Sequence, residues 1–109
     1  MAYNLELGDR IRRGLARRTD VTEKKMFGGL AFMIRGHMAC GVIGDELMLR
    51  VDPEREPELL QRHGVRPMDF TGRRMKGFLQ VAAGGIADDE TLAGWLAEAM
   101  ARAEGLPAK

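Results

Sequence analysis

A single cysteine, Cys40, excludes an internal disulfide, and so sparse a use of thiols fits a reducing compartment. No apolar run approaches the ~20 residues a helix needs to cross a bilayer. Residues 1–18 lack the apolar core of a secretory signal, so a cytoplasmic protein without a membrane partner is expected. The two histidines, His37 and His63, stand apart from Cys40 and from each other; no close pair has metal-ligand spacing, and no metal is expected. Aromatics are few: Tyr3, Phe27, Phe32, Phe70, Phe78 and Trp95. With a pI of about 7.9, that is a poor outfit for stacking bases and neutralising phosphates. No helix-turn-helix, zinc-finger or RNP pattern is present either, which argues against direct nucleic-acid binding. Repeats, low-complexity segments and linkers are also missing. The 109 residues read as one domain, 1–109.

Catalysis lacks a constellation too. Cys40 lies mid-strand among apolar residues, the setting of an inert thiol. The acidic pairs Asp52/Glu54 and Asp88/Asp89 fall at helix starts, where capping explains them. No enzyme activity and no cofactor are expected.

What the chain does have is polarised charge. The formal net charge is only +1, yet residues 1–36 carry eight Lys/Arg against four Asp/Glu, and residues 66–77 carry four against one. The acidic excess lies elsewhere, in 52–58 and 88–90. Such a split suits a partner of one sign, self-association of opposite patches, or simply solvated faces.

Leu7, Ile11 and Leu15 recur every four residues, predicting a helix over 5–18. Gly14 weakens it by ~1 kcal/mol relative to alanine and suggests a close contact. Residues 30–51 alternate with period two and predict three strands. Their turns are expected at Gly36-His37 and Gly44-Asp45, and Gly41 suggests a bulge or a close neighbour. Asp52-Pro53 starts a second helix, predicted to run to Arg62 or His63 and stop at Gly64, with Pro57 either sitting within its first turn or forcing a local restart. Segments 66–71 and 75–82 form a hairpin. Asp88 or Asp89 begins a last helix whose core stripe is Leu92, Trp95, Leu96, Ala99, Met100 and Ala103. The expected class is α+β: helix, three strands, helix, two strands, helix, with helices packed on an antiparallel sheet.

Two segments carry the candidate sites. Arg66, Arg73, Arg74 and Lys76 crowd one hairpin around Gly72, and glycine-turn amides plus guanidinium groups make a sensible anion or partner site. The competing reading is purely structural: Asp69 pairs with one cation while Met68 and Phe70 pack inward. Met26-Phe27-Gly28-Gly29 lacks the spacing of a nucleotide loop. There Phe27 is expected to anchor the core and the glycines to turn the chain into a strand. Eight methionines are many for this length. Met33, Met48, Met68 and Met75 fall on strands, where they line an adaptable surface or fill a core. The strand face bearing Met48 and Arg50, if uncovered, is the natural interface for a partner or a homodimer.

Met26-Phe27-Gly28-Gly29, Phe32-Met33, Leu49-Arg50-Val51, Pro67 to Arg73, Met75-Lys76-Gly77-Phe78 and Trp95 together resemble the TfoX/Sxy N-terminal domain, from about Val21 to the end. The resemblance implies the helix and strand order above. It also implies a regulator of natural competence that acts with a transcription regulator, the cyclic-AMP receptor protein, through protein–protein contact. In that family a second, helical domain follows, and this chain is expected to be a stand-alone member. A small anion- or nucleotide-binding domain using hairpin 66–77 is the alternative function.

Overall fold

A computed structural model describes residues 3–26, 28–70 and 73–107, without the side chains of Phe70, Arg73 and Arg74. Helix α1 (Leu5–Gly14) opens on Asn4, whose side-chain oxygen accepts from the Leu7 amide at 3.1 Å. That satisfies one of the amides a helix start leaves open. Leu7, Ile11 and Leu15 are buried, as their spacing predicts. The helix stops at Gly14 rather than Arg18. Glycine disfavours helix, and this one faces the last helix so closely that an added Cβ would lie 2.5 Å from Leu96 Cδ1.

Six antiparallel strands follow among the described residues: β1 (Val21–Met26), β2 (Gly29–Ile34), β3 (His37–Ile43), β4 (Glu46–Arg50), β5 (Val65–Phe70) and β6 (Arg73–Val81). They lie in the order β1-β2-β3-β4-β6-β5. The first meander thus has four strands, not three. β1 escapes the hydrophobic pattern because it is an edge strand whose middle four residues, Thr22 to Lys25, are exposed; charge on an edge discourages pairing with another chain. The β2–β3 turn is Arg35-Gly36, with φ of 54° and 88°, one residue earlier than predicted. A two-residue turn matching strand twist needs both residues at positive φ. His37 therefore begins β3, where its ring is buried and bonds the Pro107 carbonyl.

The β2–β3 register shifts between Phe32, opposite Cys40, and Met33, opposite Met38. Ala39 is the extra residue of a bulge. Cys40 and Val42 consequently face the helices, while Met38 turns to the other side of the sheet.

The second helix is broken. Asp52 caps a 3-10 turn, Pro53–Arg55, by accepting from the Glu54 amide at 2.9 Å. Helix α2 (Glu56–Leu59) then restarts with Pro57 in its first turn and ends well before Arg62. Proline supplies no amide to the turn before it. The chain continues to Gly64 in turns. Glu56 is buried and takes the Gly77 amide, fastening α2 to β6.

A 3-10 turn, Ala83–Gly85, leads to α3 (Asp89–Glu104), with Asp88 in the cap position. All six residues of its predicted stripe are buried. α1 and α3 cover one sheet face, enclosing a core that includes Ile11, Phe32, Ile34, Leu47, Leu49 and Leu79. Each such side chain contributes about 1.5–3 kcal/mol by leaving water. The fold is α+β with an antiparallel sheet, as the residue pattern predicts.

Candidate functional site

The other sheet face has a separate core: Ala31, Met38, Met48 and Met68, ringed by half-buried Met26, Met33, Ile43, Met75 and Phe78. Every one of these residues is on a strand. No helix among the described residues contributes to the cluster. Of the seven described methionines, six are here, and only Met100 joins the core beneath the helices. Met48 and Met68 are 0% and 1% exposed, so the centre of the cluster is closed to solvent and its half-buried rim is what reaches the surface. Gly41 makes the room for Met48: a Cβ on it would lie 2.5 Å from the Met48 terminal methyl.

Charged groups flank this bed. Glu46 takes Arg66 in a two-pronged pair, at 2.8 and 2.7 Å, and also accepts from Gln80 at 3.1 Å. Arg66 is therefore held by Glu46 on β4 rather than by Asp69, its neighbour within the hairpin. Asp69 lies exposed, with Arg74 across the ladder. Lys76 and Lys24 are exposed. Arg50 differs from all of them. Its guanidinium stacks 4.6 Å from the Phe78 ring centroid, and its Nε donates to the Met38 carbonyl at 2.8 Å. Burial, then the charge of Arg102, pulls its pKa below the ordinary arginine value.

Of the predicted basic cluster, part lies among the described residues. Arg66 and Lys76 are on paired strands, while Gly72 and the side chains of Arg73, Arg74 and Phe70 fall outside the described residues. Phe27 does as well. Met26 joins the methionine bed, Gly28 has φ of 73° in the turn, and Gly29 begins β2. Trp95 is a core residue at 3% exposure. Arg62 stacks 5.1 Å from its ring, beside a cavity of about 340 Å³ that also meets His63, Asp88 and Thr91. The Thr91 hydrogen bond holds the Asp88 carboxyl below its usual range.

Several arginines of the first helical segment serve as internal clamps. Arg12 grips Glu23 on β1 at 2.8 and 2.7 Å, and the Glu23 pKa is lowered by that bond. Arg18 joins Asp20 and Glu104, while Arg10 joins Asp89 and the Ile86 carbonyl. Exposed pairs of this kind contribute little stability, but they fix where the helix lies. Arg50 had no strong local signal. Its stacking on Phe78 depends on the β4–β6 pairing, across which the two residues stand opposite.

Cys40 is fully buried, and burial pushes its thiol up to about 12. The nucleophile is the thiolate. Iodoacetamide at about pH 8, near the pKa of an ordinary thiol, is expected to spare the folded protein and label it after urea unfolding. Equal labelling of both states would contradict this placement.

Two helices on one face of an antiparallel sheet, with a methionine bed on the other, define an α+β domain with one face free of helices among the described residues. The family model described as TfoX N-terminal domain matches residues 13–103, and the chain belongs to that family. No curated protein and no solved structure matches it. No helix among the described residues is long and apolar enough to cross a membrane.

Proposed function

We propose that this chain is a non-enzymatic interaction domain, acting by protein–protein contact in transcriptional regulation of the competence type. One observation carries the contact reading: six methionines gathered on a sheet face to which no helix among the described residues contributes. A core needing only to be filled is served by the branched side chains that dominate beneath the helices. Methionine is unbranched and polarisable, and it adapts its shape to a partner. The half-buried rim, Met26, Met33, Ile43, Met75 and Phe78, is the apolar surface a partner would meet, and contiguous apolar surface is a usual mark of a docking site. The regulatory role is what the resemblance to the TfoX/Sxy regulators implies, and family membership supports it.

A photo-crosslinking residue at Met33, on this face, should yield discrete adducts in cells. The same residue at exposed Ala97, on α3, should not. Mass spectrometry is expected to identify a transcription regulator or a component of the transcription machinery in the Met33 adduct. No adduct from Met33, or the same adducts from both positions, would remove the reading.

A further inference from the structure

Arg50 is the one half-buried cation on the methionine face that has no carboxylate partner among the described residues. The other described guanidinium there, Arg66, already has Glu46. Arg50 uses Nε on the Met38 carbonyl and lies flat on Phe78, so its rotamer is set before any partner arrives. Its two terminal nitrogens present the paired donors that fit a carboxylate. An ion pair formed at a partly buried group beside apolar side chains is screened less than one in open water.

We propose that the methionine face seats an amphipathic peptide segment whose carboxylate pairs with Arg50 while its apolar side chains pack on the half-buried Met26, Met33 and Met75. This rests on the reading of that face as the contact surface. The charges select among occupants. A second copy of the chain would bring a surface bearing Lys24 and Arg50 against a surface of the same sign. A nucleic acid would need a run of phosphate-neutralising cations, and among the described residues this face offers Lys24, Arg50 and an Arg66 already paired with Glu46. An acidic, apolar segment complements both features.

The test uses the intact chain with carbon-13-labelled methionine methyls. The probes are two model peptides of identical helical pattern, one of leucine and glutamate, the other of leucine and lysine. The leucine–glutamate peptide is expected to shift the methyl signals of Met33, Met48, Met68 and Met75, leaving Met100 in place. Arg50→Gln should weaken that binding by about tenfold or more, as loss of a charge-assisted pair requires. Arg50→Lys should restore part of it, and thermal melting checks that both variants fold. Equal binding of the leucine–lysine peptide would overturn the proposal. Full-strength binding by Arg50→Gln, concentration-dependent dimerisation through the face, or methyl shifts with duplex DNA in place of peptide would do the same. If Met33 adducts form in cells but are unchanged by Arg50→Gln, the acidic anchor fails and the contact surface stands. If no adduct forms, both fail.

Discussion

Replacing Phe32 by alanine is expected to destabilise the domain by about 3–5 kcal/mol, the range for truncating a buried aromatic. Phe32 is 1% exposed and sits in β2, between Glu23 on β1 and Cys40 on β3. The core around it is closed by a sheet on one side and by α1 and α3 on the other. Strand backbones locked in a ladder cannot move in to fill the space, so most of the cavity persists. For a domain this size the loss lowers the melting temperature by about 10–20 °C. Urea unfolding with an unchanged m-value would read the loss directly. A change below about 1 kcal/mol would mean that the helices collapse onto the gap, contrary to close packing of this core.

Gly29→Ala removes no contact, yet it is expected to cost about 3 kcal/mol, at the upper end for overpacking. An added Cβ would lie 2.2 Å from the Val42 carbonyl oxygen and 3.3 Å from Ile43 Cγ1. The first neighbour is backbone within the β2–β3 ladder, so it cannot rotate aside as a side-chain tip does. Relief requires β2 to peel away from β3 at the hairpin end, breaking ladder hydrogen bonds. Hydrogen exchange should therefore rise first at Leu30 and Val42, opposite each other in that ladder, with a lowered melting temperature. A variant as stable as the parent, with unchanged exchange there, would show that the strands have more room than the geometry allows. The result also bears on the Met26-Phe27-Gly28-Gly29 segment: its second glycine is explained by strand packing, without a ligand.

Much of the architecture was legible in the residue order. The stripe from Leu92 to Ala103 placed α3, Leu7, Ile11 and Leu15 placed α1, and Pro57 marked the break in α2. These signals are local, each set by period or by the chemistry of one residue. The methionine face was legible only as a condition, because Met48 and Arg50 alternate away from Leu47 and Leu49 whether or not something covers them. β1 was missed for the opposite reason. Thr22 to Lys25 are polar because the strand is an edge, and an edge leaves no apolar period to detect.

The candidate site divides along the same line. Clustering of Arg66, Arg73, Arg74 and Lys76 in the chain suggested a shared cationic site, but sequence proximity does not assign ion pairs. Arg66 found Glu46, twenty residues away, because β6 lies between β4 and β5 and a long guanidinium spans the row. Likewise the bulge at Ala39 moved Met38 to the helix-free face, and the β4–β6 register set Arg50 over Phe78. Periodicity, capping and turn chemistry were enough for the kind of fold, and motifs such as Met26-Phe27-Gly28-Gly29 and Met75-Lys76-Gly77-Phe78 carried the resemblance to the TfoX N-terminal domain, since all of these act over a few residues. Which side chains share the methionine face, and which cation there has a counter-charge, depended on strand order, register and one inserted residue. Those are settled by contacts between segments far apart in the chain, where no local pattern reaches.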